Sequence, residues 1–199
     1  MILVALLIAL GFSFVGPPGT ASAATTAAAS VNLPVKGRAP MTGFSRAQFG
    51  PAWADVDRNG CDTRNDILAR DMVGETFKAR THNCVVLTGT LQDPYTGKTI
   101  KFVRGPNSRA VEVDHVVSLA NAWATGAQRL TPAQRWAFAN DPLNLLAVDG
   151  PTNQQKGSGD AATWLPQRDR HGFVARQIAV KAKYGLWVTP AERAAMARW

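Results

Sequence analysis

The stretch CVVLTGTLQDPYTGKTIKFV, residues 84–103, constrains the fold more than any other part of the chain. Cys84 to Leu91 and Thr99 to Val103 are rich in β-branched residues, and Asp93-Pro94-Tyr95-Thr96-Gly97 between them is a turn, so the stretch reads as a β-hairpin. Val111 to Asp114 then alternates Val with an acid, the period of a pleated strand. PLNLLAVDG adds a short apolar strand that ends at Asp149-Gly150. On both sides the spacing turns helical. A short helix, a loop carrying Asp57 to Gly60, and a helix near Arg64 to Met72 precede the hairpin, with Asp62 or Thr63 as cap. VVSLANAWATGA, the Thr131-Pro132 start of TPAQRWAFAND, a short helix in PTNQQKGSGD and two closing helices complete the order. Strands in the middle and helices at both ends give an α+β class. No internal repeat is visible.

The first residues, MILVALLIALGFSFVGPPGTASAATT, have an apolar run, a Gly-Pro break and Ala21-Ser22-Ala23. That is the plan of a secretory signal peptide over residues 1–23, although no Lys or Arg precedes the run. The run falls short of the ~20 residues of a membrane span, and no second one exists, so the expectation is an exported, extracellular protein without stable membrane insertion. Residues 24–40 are small, polar and proline-punctuated, and read as a disordered leader. The folded domain is then 41–199, and six Trp and eight Phe can fill one real core.

Two cysteines in an exported chain argue for a Cys61–Cys84 disulfide. Zinc bound by Cys61, His82 and Cys84 is the poorer alternative, since a fourth ligand is lacking. Asp55, Asp57 and Asn59 are spaced like the first ligands of a calcium loop, but position 12 is Asp66 and not Glu. The 22 Lys and Arg against 14 Asp and Glu leave a net charge of +8. None of these residues lies before Lys36. A basic domain favours polyanionic partners, namely nucleic acid, cell-wall polymer or lipid head groups, or else only solubility.

One set of residues carries chemistry. Asp114-His115 ends one strand, Asn144 lies at the next, and Asn153 follows nine residues later in a helix. A strand–strand–helix unit can bring these to one concave face. A neutral imidazole can deprotonate water at neutral pH, its ordinary pKa being about 6.5. Asp114 and Asn153 offer only oxygen, which suits one hard divalent ion such as Mg²⁺ or Mn²⁺. Two protein ligands leave positions for water and phosphate oxygens, as phosphodiester hydrolysis needs.

The run EVDHVV…NDPLNLLAVDGPTNQQKGS resembles the HNH nucleases (ββα-metal, or His-Me finger). It resembles especially the subgroup with Asp-His first and Asn at both later positions, which includes the HNH domains of RNA-guided DNA nucleases and the C-terminal domains of GmrSD-type restriction enzymes. DRNGCDTRNDIL and GTLQDPYTGK also look like upstream features of secreted members. The resemblance implies His115 as general base, Asp114 and Asn153 as metal ligands, and Asn144 as a brace for the loop after His115. It also implies Lys156 as a phosphate contact and products with 5′-phosphates. Asn stands where the namesake pattern ends in His, which disfavours zinc, and two helices lengthen the gap from His115 to Asn144.

Among other residues, Arg58, Arg64 and Arg104 are candidate phosphate grips, or else surface arginines and structural ion pairs. Glu112 shares the strand face of Asp114 and is an alternative ligand or a solvated residue. Tyr95 reads as turn packing, His82 as structural and His171 as an exposed helix start. The basic helix after WLPQRDRH is a nucleic-acid track or a solvated face. The expected partners are nucleic acid, DNA before RNA, and an immunity or inhibitor protein where the producer needs protection. The chain is expected to act as a monomer with little base specificity. A cell-wall hydrolase is the rival enzyme, though no paired carboxylates or Cys/His set supports it. A basic nucleic-acid- or wall-binding module that has lost catalysis is the non-enzyme rival.

Overall fold

The computed structural model describes residues 32–199. The signal-peptide reading of 1–23 lies outside them, as does the leader up to residue 31. Strands and helices are both present, in the α+β order expected. Helix α1 (Thr63–Asp71) opens on Asp62, whose carboxylate accepts the Asn65 amide as an N-cap. It ends where strand β1 (Met72–Phe77) begins. β2 (Val86–Gln92) and β3 (Thr99–Val103) form the expected hairpin, and β1 adds antiparallel to β2, giving the sheet order β1-β2-β3. β1 is the unexpected element. Only Met72 along it is buried, and Gly74 takes a left-handed φ of 63° beside a break in register, so MVGETF carries no alternating signal.

β4 (Val111–His115) and β5 (Leu145–Asp149) make a separate antiparallel pair, in the register Val111↔Asp149 through His115↔Leu145. Between them lie α2 (Leu119–Ala124) and α3 (Pro132–Ala139), the latter started by a Thr131/Gln134 capping box. Helix α4 (Gly150–Lys156) follows β5 directly, with the Asp149 side chain as its cap. Gly150 is required there, because a Cβ would stand 1.9 Å from the Arg109 carbonyl oxygen. The β4–β5–α4 unit is therefore closed up tightly at its turn. α5 (Arg170–Lys183) and α6 (Pro190–Met196) finish the chain, and no helix among the described residues is long and apolar enough to cross a membrane.

Three apolar clusters hold these parts together. One, including Ile67, Leu68, Val86, Phe102, Val111 and Leu145, joins α1 and the three-stranded sheet to β4–β5. A second packs α5 and α6 against Val116 and Val148, and a third gathers α2, α3 and Phe49. Cys61 and Cys84 are bonded, tying the loop before α1 to the start of β2 with a Cα separation of 4.9 Å. In that loop Asp55 and Asp57 accept the backbone amides of Asn59 and Gly60, so their carboxylates shape the turn itself.

The leader reading of 24–40 is corrected where the structure describes it. Leu33 is buried in the second cluster, Val35 bridges Val188, and the Gly37 carbonyl accepts the Trp187 indole. Arg38 pairs with buried Asp160 at 2.6 Å. Small and polar residues hid the docking because backbone groups make most of these contacts.

Candidate active site

Strand β4 divides its side chains between two environments. Glu112 and Asp114 face α4. Asp114 is 5% exposed, with Oδ2 accepting the Tyr95 hydroxyl at 2.6 Å and Oδ1 accepting the Lys156 ammonium at 2.9 Å. Lys156 also donates to the His115 carbonyl, at 2.9 Å. Burial pushes the Asp114 carboxyl above the usual carboxylate range, while Lys156 and the Tyr95 hydroxyl pull it back down. Burial and the same carboxylate drive the Tyr95 hydroxyl well above its ordinary value, so it stays a donor. Glu112 accepts the Asn153 amide at 2.8 Å and the Gln154 amide at 3.1 Å.

His115, at the end of β4, is held differently. Its Nε2 stands 2.8 Å from the Ala139 carbonyl, which can only accept, so Nε2 carries the hydrogen and Nδ1 carries the lone pair. Burial lowers the imidazole pKa to about 4, against the raising effect of the Ala139 contact, so the ring is neutral at neutral pH. Trp53 lies nearly parallel to it, 18° between planes and 6.2 Å between centroids. The following turn is fixed by Asn144, just before β5. Its Oδ1 accepts the Val117 amide at 2.8 Å, its Nδ2 donates to the Val117 carbonyl at 3.2 Å, and its own carbonyl accepts the Val116 amide. A fully buried amide making such paired bonds acts as a brace.

Asp114, His115 and Asn153 line one cleft of about 340 Å³, together with Arg46, Ser118 and Ser158. Three of the four residues of the sequence set thus meet at one cleft, with Asn144 buried behind it. Asn153 commits its nitrogen to Glu112, which turns the amide oxygen away from that carboxylate and leaves it as the end able to meet a cation. Asp114 and Asn153 are both hard oxygen donors, and this suits Mg²⁺ or Mn²⁺ rather than zinc. Among the described residues no group of three or more His, Cys, Asp or Glu could form a metal cage, so water and substrate would have to complete the shell.

Several sequence expectations change. Lys156 has a fully buried side chain and neutralises Asp114, so it is not a phosphate contact. Arg104 is structural: it donates to the Val86 carbonyl at 2.5 Å and to Asn65 Oδ1 at 2.6 Å. Arg58 stands exposed, with a left-handed φ of 60°, and is not among the residues lining the cleft. Arg64 is partly buried, with burial and nearby Arg104 lowering its pKa and Asp62 and Glu112 opposing them; it stays a cation on the Glu112 side of the site. His82 is exposed in a turn, and exposed His171 packs edge-on against Trp199.

Sequence reasoning missed three residues. Tyr95 sits inside a turn motif, and nothing local signals that its hydroxyl reaches Asp114. Arg46 lies in the short helix and Trp53 in the loop that follows it, and only the fold brings them to His115. The left-handed φ of 57° at Trp53 cannot be read from composition.

A protein of Arthroderma benhamiae named "Uncharacterized secreted protein" is 35% identical over 184 residues, spanning 90% of this chain and 85% of that protein. No solved structure matches. The family model described as GmrSD restriction endonucleases, C-terminal domain, covers residues 62–199, from α1 through the whole Asp-His, Asn and Asn set to the last residue. The chain belongs to that family of restriction-endonuclease C-terminal domains.

Proposed function

We propose that the chain is a secreted endonuclease that hydrolyses phosphodiester bonds, DNA before RNA, with the help of one divalent ion. The observation that carries this reading is the His115 imidazole: neutral, with Nε2–H committed to Ala139 so that Nδ1 keeps the lone pair, and lining a cleft that Asp114 and Asn153 also line. Water positioned at Nδ1 gives up a proton there, and its oxygen bonds to phosphorus. The bond from phosphorus to the 3′ oxygen breaks, and that oxygen takes a proton from solvent water, leaving a 5′-phosphate and a 3′-hydroxyl. Mg²⁺ or Mn²⁺ held by Asp114 and Asn153 would supply charge stabilisation at the phosphate and the departing oxygen. Asn144 keeps the loop after His115 still, and Tyr95 and Lys156 keep Asp114 in place. The net charge of +8 favours a polyanionic substrate. Secretion is supported by the apolar N-terminus, by the Cys61–Cys84 disulfide and by the name of the Arthroderma relative.

Purified protein is expected to nick and linearise plasmid in Mg²⁺ or Mn²⁺ and to stop when EDTA is added. Intact plasmid across Mg²⁺, Mn²⁺ and Ca²⁺ would defeat the reading. One observation favours a second reading, a basic binding module without catalysis: Lys156 already neutralises Asp114. Nucleic-acid binding with no turnover by either the native protein or His115→Ala would mark that case.

A further inference from the structure

His115 has open space on two sides. Beyond the cleft shared with Asp114 and Asn153 lies a smaller slot of about 180 Å³, whose walls include Phe49, Pro51, Trp53 and Ala139. Arg46, His115 and Leu119 line both spaces, so the two are neighbours on either side of these residues. We infer that this slot is a nucleobase subsite, taking the base next to the scissile phosphate while that phosphate lies in the neighbouring cleft. The inference rests on the phosphodiesterase reading above and adds a substrate preference to it.

Four features point to a flat, uncharged ring attached to an anion. Phe49, Pro51, Trp53, Leu119 and Ala139 give the slot a mainly apolar wall with two aromatic rings, suited to a π face, while Asn140 and Arg46 add polar groups at its edge. The volume is below the ~300–1,000 Å³ of sites that hold drug-sized molecules, so one ring system fits and a whole nucleotide does not. Arg46 is exposed at the junction of the two spaces, placing a cation where a base gives way to its phosphate. The wall is also built to hold its shape. Trp53 is kept at φ 57°, the next residue's amide (Ala54) donates to Asn140 Oδ1 at 3.1 Å, and Asn140 in turn donates to the Trp136 carbonyl at 2.9 Å. A bulky residue held in the left-handed region persists only where its surroundings enforce it. A base can enter only if it is unstacked, so single strands and unpaired positions are the preferred substrates.

The test uses single-stranded DNA with one phosphodiester between phosphorothioate linkages, carrying an abasic residue on one side or the other of the cleavable bond. For the native protein, kcat/KM is expected to fall on the order of tenfold for the abasic residue on one side only, and likewise when the same bond lies in a duplex. Ala52→Phe, which adds a ring at the slot's wall and leaves His115, Asp114 and Asn153 in place, is expected to erase the one-sided difference. Equal rates on intact and abasic strands, or a difference that survives Ala52→Phe, would overturn the subsite. A second readout needs no turnover: dAMP is expected to quench the part of the tryptophan fluorescence that Trp53→Phe removes, and not to do so in Ala52→Phe. No cleavage of any strand with that quench present defeats the hydrolytic reading and keeps the subsite. Cleavage without the quench or the one-sided effect defeats the subsite alone.

Discussion

Among the described residues two lysine ammonium groups are fully buried against carboxylates, and their surroundings differ. Lys181 on α5 bonds Glu192 at 2.7 Å and the Trp187 carbonyl at 3.1 Å, and both side chains have zero exposure. The other oxygen of Glu192 accepts the Thr189 amide in the capping box of α6. That pair therefore fixes the start of a helix and touches nothing that could react. Burial lowers the Lys181 pKa, and Glu192 opposes the shift. Lys156 pairs with Asp114 at similar depth, yet the carboxylate lines a cleft and the ammonium also holds the His115 carbonyl. The same ion pair is a structural pin in one place and a positioning device in the other. What separates them is the neighbour: a helix cap for Glu192, an imidazole and an open cleft for Asp114.

Removing the cation alone tests this difference most strongly. Lys156→Met and Lys181→Met each leave a buried carboxylate without its partner, and each is expected to cost about 3–5 kcal/mol by denaturant titration. Their activities should part company. At a temperature where both remain folded by circular dichroism, Lys181→Met should cleave plasmid at close to the native rate, and Lys156→Met should lose most of it. Equal loss in both, or in neither, breaks the distinction.

The disulfide sharpens the contrast from a third position, since it ties 61 to 84 and is remote in sequence from both pairs. Loop-closure entropy puts its contribution at about 3 kcal/mol. The double replacement Cys61→Ala/Cys84→Ala is expected to lower stability by that order while sparing the cleavage rate of the folded fraction.

The smallest effect belongs to Lys183 with Asp141 at 2.6 Å, where the carboxylate is buried but the lysine is half exposed, so water reaches the pair. Burial would raise the Asp141 carboxyl, but Lys183, the Leu143 amide and Tyr184 outweigh it and hold the pKa below its ordinary value. A carboxyl depressed in the folded state stabilises fully above its unfolded pKa, ~3.9, and that stability fades as pH falls through the lower folded value. Lys183→Met should cost no more than about 1 kcal/mol at pH 7, less in high salt, and the difference from the native protein should shrink below about pH 4. A cost as large as that of Lys181→Met would remove burial as the deciding variable.

The parts of the fold legible in the sequence were those written in local pattern. Thr131-Pro132, the Asp93 to Gly97 turn and the alternation from Val111 each identified an element because side-chain chemistry there matches backbone geometry. Asp114, His115, Asn144 and Asn153 were legible as a set because their order follows strand, strand and helix. What stayed hidden depends on distant partners. β1 is an edge strand with one buried residue, so nothing in MVGETF alternates. Lys156 looks like a surface cation until α4 is packed on β4, and Arg104 like a phosphate grip until its two acceptors are placed. The residues 32–40 dock through backbone hydrogen bonds, which composition does not record.

The most direct measurement is the single-turnover cleavage rate of one phosphodiester by the native protein and by His115→Ala, at neutral pH in Mg²⁺ with protein in excess. A positioned general base is worth about 10²–10⁴ in rate, so His115→Ala should fall by that factor while its binding to the strand and its thermal stability change little. A His115→Ala protein that cleaves at the native rate would contradict the account.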